Sequence, residues 1–334
     1  MSAENAQSLA EPQYHKRFTR RTTALEVLDG LDLSDKTVLI TGTTAGIGLE
    51  TARAAALKGA RVFMANRSIT KAEGVRDAIY KETEHRKIEL IHMDLSSLQS
   101  VQAAAEEFLK SGSPLHVLIL NAGIMSPTSP NGTIDGYEAT FATNQLGHFY
   151  LTRLLRSKLV ESAPFARGGR LVALAQGGLE SEEDYSFRLL QHTFISPTAP
   201  LEEKMQKLVP APGGKQPGYL LYALSKLCNV LWAFKLHREL NDQGVGVYVL
   251  HPGSFIPTSI GRSYGVFGRL ANAVVKPFAK TPEQGAATTV YCAFHPDVEK
   301  LQAPLARDEQ LQDALWERCN EYVEKYESTR TPAN

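Results

Sequence analysis

Three cysteines in 334 residues, Cys228, Cys292 and Cys319, stand far apart and odd in number. They offer neither a disulfide framework nor the paired spacing of a zinc site, and they fit a reducing compartment. An excess of charge of either sign is also missing, because 36 Lys and Arg balance 36 Asp and Glu. Such a chain gives no reason to expect a nucleic-acid groove. No run of eighteen apolar residues occurs, and the first twenty residues lack the apolar core of a secretory signal. The expectation is a cytoplasmic chain without a transmembrane segment, in which the sequon Asn131-Gly-Thr133 has no meaning. The basic cluster His15-Lys-Arg-Phe-Thr-Arg-Arg21 reads as part of a solvated, flexible tail over residues 1–20. Gly213-Gly-Lys215 is no phosphate-binding P-loop, since the first glycine, the preceding strand and the following Ser/Thr are absent.

What is present is enough apolar material, 43% of residues, for one large α/β core. Its organising stretch is Lys36-Thr-Val-Leu-Ile-Thr-Gly-Thr-Thr-Ala-Gly-Ile-Gly-Leu-Glu50. Val38, Leu39 and Ile40 lack polar alternation, as suits a strand covered on both faces of a parallel sheet. Gly42, Gly46 and Gly48 then open a helix that runs to about Lys58. The first glycine permits a tight turn, the second lets backbone N–H groups approach a diphosphate, and the third lets helix pack on strand. The positive helix end favours the anion.

Thr41 to Gly48 has the TGxxxGxG spacing of the short-chain dehydrogenase/reductase family. Asn121-Ala-Gly123, Asn144, Tyr222-Ala-Leu-Ser-Lys226 and Pro252-Gly253 with Thr258 follow in that family's order. The chain resembles the family over residues 20–325. Within it the likeness is to the retinol-dehydrogenase-like group and the dehydrogenase domain of WW-domain-containing oxidoreductases, through Thr22-Thr-Ala-Leu-Glu26, Ser225-Lys-Leu-Cys-Asn229 and Gln284-Gly-Ala-Ala-Thr-Thr-Val-Tyr-Cys292. No WW module and no membrane anchor are seen. The resemblance implies an α/β fold with a doubly wound, mostly parallel Rossmann-type sheet in a single domain over residues 21–327, followed by a tail at 328–334.

The resemblance also implies a nicotinamide dinucleotide held by Gly42, Gly46, Ile47 and Gly48, with Asp94 and Leu95 flanking the adenine. Asn121, Ala122 and Gly123 would pass beneath it, Asn121 also stabilising the sheet, while Pro252 and Thr258 would hold the nicotinamide end. At the end of the second strand, where an acid would select NAD, stand Ala65, Asn66 and Arg67. A guanidinium can grip a 2′-phosphate bidentately, so NADP is favoured, with NAD the other option. Tyr222 and Lys226, at i and i+4, share one helix face. A phenol of pKa about 10 needs about 4 kcal/mol of differential stabilisation to ionise near neutrality. The neighbouring ammonium and the oxidised nicotinamide can supply it. In the family the lysine also holds the ribose, and the residue matching Asn144 kinks a helix and relays protons. His148 reads as a packing residue.

Elsewhere the order of elements is regular. Strands are expected at Arg61–Ala65, Ile88–Met93, Leu115–Leu120, Arg170–Ala175 and Val245–Leu250, with helices over 70–84, from a Ser96 cap, over 136–160 and over 308–327. Two departures stand out. Where the family places a serine that bonds the reacting oxygen, this chain has Gln176, whose amide can orient a carbonyl but cannot occupy a hydroxyl's position unchanged. Losing such a donor costs about 10² to 10³ in rate. The seventh strand should follow Val298, yet residues 299–306 are β-poor and interrupted by Pro304, so that edge is either trimmed or missing. Between them, residues 176–218 are dense in proline and glycine and read as a long irregular insertion, a candidate lid or surface for a protein partner. Residues 254–280 read as an apolar substrate lid, with Tyr264, Val266, Phe267 and Leu270. The expected activity is hydride transfer between NADP(H) and a small apolar alcohol or carbonyl, retinoid-, steroid- or lipid-like, with Tyr222, Lys226 and Asn144 catalytic and Gln176 on the substrate. The alternative is a dinucleotide-binding protein of weak or no turnover acting through protein contacts. No metal site is expected, and a homo-oligomer remains open.

Overall fold

Thr37–Thr41 forms β1 and is buried at all five positions, because helices cover both faces of the sheet it joins. In the computed structural model, residues 18–125, 132–165, 169–174, 198–253, 256, 280–300 and 308–329 are described. The further strands are β2 (Arg61–Asn66), β3 (Ile88–His92), β4 (Val117–Leu120), β5 (Gly169–Leu174) and β6 (Val245–Leu250). All pair in parallel in the order β3-β2-β1-β4-β5-β6, a single Rossmann-like sheet. The order reverses between β1 and β4, and such a switch point leaves a crevice at the carboxyl ends of the strands.

The helices are α1 (Ala24–Val27), α2 (Gly46–Leu57), α3 (Ile69–Ile79), α4 (Leu98–Lys110), α5 (Gly147–Ser162), α6 (Leu201–Leu208), α7 (Gly218–Leu240), α8 (Pro282–Phe294) and α9 (Glu309–Ser328). Alternation along the strands divides the core in two. Val38, Ile40, Val117 and Ile119 pack with α1, α2, α3 and α8. Leu39, Leu118 and Leu120 pack with α4, α5, α7 and α9 on the opposite face. An unbroken apolar run is what a strand between two such layers requires.

Local expectations meet the structure unevenly. Thr281 caps α8 ahead of Pro282 at its first position and forms a capping box with Gln284. Ser97 rather than Ser96 caps α4, because Asp94 Oδ1 takes both the N–H and the hydroxyl of Ser96, at 2.9 and 2.6 Å. The helix expected over 136–160 begins later, at Ala139, where the Glu138 carboxylate accepts from Thr140 and Phe141 N–H. It then widens into a π turn over Ala142–Leu146 before α5. Within 176–218, α6 is helical rather than irregular: Pro200 stands at its N-cap, Glu202 and Glu203 occupy its first turn, and Met205 and Leu208 are buried. Val298 falls in a 3₁₀ turn, Pro296–Lys300, and the seventh-strand question passes to residues 301–307, outside the described residues.

The last helix, α9, crosses the outer faces of α4, α5 and α7. Phe149 meets Trp316 edge to face at 5.2 Å, and Tyr150 meets Tyr326 at 5.8 Å. Ion pairs rim this contact, with Asp313 between Lys235 and Arg238 at 3.0 and 2.9 Å and Lys204 on Asp308 at 3.0 Å.

Candidate active site

At the crevice beyond β1 and β4 lies a cleft of about 310 Å³. Its wall contains Gly42, Gly46, Ile47, Gly48, Arg67, Asp94, Leu95, Asn121, Ala122, Gly123, Tyr222, Lys226 and Pro252 together. These residues come from six separate stretches of chain. Two expected members, Gln176 and Thr258, lie outside the described residues, as do 176–197 of the insertion and nearly all of the 254–280 segment.

The glycine turn is built by exclusion. Gly42 adopts φ +73° with Ala122 Cα 2.9 Å from where a Cβ would stand, and a Cβ on Gly48 would collide with the Gly42 carbonyl and the Asn121 amide. Asn121 Nδ2 donates to the carbonyls of Thr41 and Gly42 at 2.9 and 3.0 Å, stitching the end of β4 to the turn after β1. Thr41 Oγ1 accepts the N–H groups of Asn121 and Ala122, each at 3.0 Å. Asn66, buried at the end of β2, clamps the other side: its Oδ1 accepts from Thr43 N–H and its Nδ2 donates to Thr43 Oγ1, both at 2.7 Å. The N-cap of α2 is Ala45, which supplies no capping oxygen to the first-turn N–H groups. A turn with no side chain to fill it, at an uncapped helix start, fits the diphosphate of a dinucleotide.

The far end of the cleft carries the titratable groups. Gly123 stands beside both Asn144 and Lys226, whose Oδ1 and Nζ lie 3.3 and 3.4 Å from its Cβ position. Lys226 Nζ sits 5.6 Å from the centre of the Tyr222 ring. Burial lowers the Lys226 ammonium from 10.5 to about 8. Burial also pushes the Tyr222 phenol up, so this hydroxyl is protonated at neutral pH and ionising it costs more than in water. Asn144, in the π turn, accepts from Ile124 N–H at 2.8 Å and donates to Ile124 O and Ser225 Oγ at 3.0 and 2.9 Å. Ser225 Oγ in turn donates to Tyr222 O at 2.7 Å.

Several lining residues escaped the reading of the sequence, notably Lys71, Ser68, Thr143 and Ile124. Lys71 had a findable signal: it follows Arg67 by four residues, and both are exposed at the end of β2. The Asn66–Thr43 clamp joins two loops 23 residues apart and leaves no local pattern. Among the described residues no cluster of His, Cys, Asp and Glu could hold a metal, and no helix is long and apolar enough to cross a membrane.

Fold and cleft together define a dinucleotide-binding α/β protein with a Tyr–Lys pair at the end of the cleft away from the glycine turn. Residues 36–176 match the short chain dehydrogenase family model. The chain is 38% identical to the WW domain-containing oxidoreductase of Pongo abelii over 92% of its own length and 72% of that protein's. It is 36% identical to retinol dehydrogenase 12 of Mus musculus, over 90% and 85% of the two chains. Among solved structures, it superposes on a short-chain dehydrogenase/reductase of unknown function from Caenorhabditis elegans, crystallised with cofactor. The TM-score is 0.61 and the identity 22%, with 84% of this chain and 96% of that one covered. This chain belongs to the short-chain dehydrogenase/reductase family. It is an oxidoreductase acting on CH–OH or C=O groups, with a nicotinamide dinucleotide as cofactor.

Proposed function

We propose that the protein is an NADP(H)-preferring enzyme that interconverts an apolar alcohol and its carbonyl. The observation that carries this reading is the meeting of Tyr222 and Lys226 with Asn121, Ala122, Gly123 and the glycine turn in one cleft. Bound there, the dinucleotide supplies or accepts the hydride. The rest falls to the chain's own side chains. In the direction of reduction, Tyr222 Oη gives its proton to the carbonyl oxygen as negative charge develops on it. In oxidation the same atom takes the proton from the alcohol. Burial favours the neutral phenol, so the ammonium of Lys226 is what stabilises the phenolate left after transfer. An ammonium lowered to about 8 also exchanges its proton readily near neutrality, and the Asn144 carboxamide, bonded to Ile124 and Ser225, holds the π turn beside it. Arg67 and Lys71 support the preference for a 2′-phosphate. The acid lining that wall, Asp94, is occupied by Ser96. Ile124 in the wall, with the apolar 261–279 sequence, supports an apolar substrate.

The test is NADPH oxidation against a panel of apolar aldehydes and ketones. The Tyr222→Phe protein is expected to bind NADPH as wild type does while losing turnover at least a hundredfold. Tight NADPH binding with no turnover dependent on Tyr222 would overturn the reading and leave a dinucleotide-binding protein.

A further inference from the structure

His148 is almost fully buried, 1% exposed, on the first turn of α5, and nothing in the reaction above uses it. Its two ring nitrogens have fixed partners. Nδ1 lies 3.1 Å from the carbonyl oxygen of Asn144, which can only accept, so Nδ1 carries the hydrogen. Nε2 lies 2.9 Å from Thr41 Oγ1. Burial and the nearby Lys226 charge lower the ring from 6.5 to about 3, so it is neutral, and a neutral ring with hydrogen on Nδ1 has a bare Nε2. Thr41 must then donate its single hydroxyl hydrogen to Nε2. The oxygen of that hydroxyl is left to accept the N–H groups of Asn121 and Ala122, as it does. Every donor in this chain of bonds has one acceptor, and reversing any member would leave a buried group unpaired.

We propose that His148 is a positioning residue that locks the dinucleotide-holding ends of β1 and β4 to the π turn carrying Asn144. The lock has a direct route to the reacting end of the cleft. Thr41 and the 121–122 backbone hold the turn under the cofactor site, while Asn144 reaches Ser225, and Ser225 bonds the backbone of Tyr222. The imidazole bonds both halves, Thr41 on one and the Asn144 carbonyl on the other, beside the Asn144 carboxamide's own bonds to Ile124. Its geometry sets how far Tyr222 and Lys226 stand from the dinucleotide, without touching any reacting atom. The inference rests on the Tyr222 reading for its effect on turnover, but not for its effect on dinucleotide affinity.

The discriminating pair of variants is His148→Phe, which keeps ring volume and loses both bonds, and His148→Gln, which keeps one donor and one acceptor. Each is to be compared with wild type for NADPH Kd by fluorescence titration, for kcat and KM, and for melting temperature. The expected result is a tenfold or greater weakening of NADPH binding in His148→Phe, with kcat falling tenfold and substrate KM little changed, and recovery to within about threefold in His148→Gln. Thr41→Val, which also strands the N–H groups of Asn121 and Ala122, should lose at least as much as His148→Phe, and the double variant Thr41→Val/His148→Phe should add nothing to the Thr41→Val loss. If His148 only fills space, Phe will be the better tolerated of the two, and that order, or additive losses in the double variant, would overturn the proposal. If wild type shows no Tyr222-dependent turnover, the functional reading fails, and the NADPH affinities alone decide the role of His148.

Discussion

Gly48→Ala puts one methyl group where the structure has no room. The new Cβ would fall against the carbonyl of Gly42, whose carbon is 3.0 Å away, and against the Asn121 amide, so both neighbours to be displaced are held rather than free. Moving the amide breaks the 3.0 Å bond from Asn121 Nδ2 to Gly42 O. Overpacking of a fixed site costs about 1–3 kcal/mol. The lost hydrogen bond adds about 0.5–1.5 kcal/mol. Together they amount to about 1.5–4.5 kcal/mol, equivalent to a fall of about 3–18 °C in melting temperature at the ~2–4 °C per kcal/mol of large single domains. The displaced turn is also the proposed cofactor cradle, so NADPH affinity should drop at least tenfold, about 1.4 kcal/mol. Gly74→Ala is the control: its Cβ meets nothing within 4 Å, and it lies within α3. That change should stabilise by about 0.5–1 kcal/mol and leave binding untouched. Thermal melts and NADPH titrations on both proteins check this. A Gly48→Ala protein within 1 °C and twofold of wild type would show that the close approach of α2 to β1 is not what shapes the cradle.

Lys226→Met should abolish turnover yet stabilise the cofactor-free protein. The ammonium falls from 10.5 to about 8 on folding, so the unfolded chain binds more protons between those values and stability rises with pH across that window. Below it the buried charge costs about 3 kcal/mol, and the difference between variant and wild type in denaturant melts should shrink from pH 8 to 10.5. His148 acts on the acid side by the same sign: its folded value of about 3 lies below 6.5, so its contribution is full above pH 6.5 and declines as pH falls. By about pH 4.5 that loss reaches about 3 kcal/mol, and His148→Gln should show a shallower acid slope. Arg67→Ala and Lys71→Ala should each weaken NADPH binding about tenfold, in line with ~1.5–3 kcal/mol for hydrogen bonds to charged groups, while leaving NADH affinity alone. An unchanged NADPH/NADH ratio in the double variant would refute the 2′-phosphate assignment.

The framework was legible because its signals are local. Val38, Leu39 and Ile40 announce a strand covered twice, and the spacing of Tyr222 and Lys226 puts them on one face before any fold is known. The glycines of the turn were readable from their spacing, although what crowds Gly42 and Gly48 includes Ala122 and the Asn121 amide, more than seventy residues further on. What escaped is held by partners distant in sequence. The π turn at Ala142–Leu146 depends on Asn144 reaching Ile124 and Ser225, and no helical periodicity signals an added residue. Ser96 and Ser97 are equally good caps in isolation, and only Asp94's capture of Ser96 decides between them. The short helix α6 was hidden by the prolines and glycines around it, which mark its ends rather than its interior. Tyr222 shows a subtler gap: the sequence pattern suggests a phenol eased toward ionisation, whereas its own burial holds it the other way.

The helix α9 completes a layer whose other members lie far earlier in the chain. Leu311, Leu315, Cys319 and Val323 close the second core, so a chain lacking the residues from Glu309 onward leaves the backs of α5 and α7 wetted even though all six described strands are present. The Tyr222 helix therefore gains its full packing only once α9 has docked. A premature stop codon within α9 would yield a polypeptide with Tyr222 and Lys226 intact and a greasy flank exposed to proteases and chaperones.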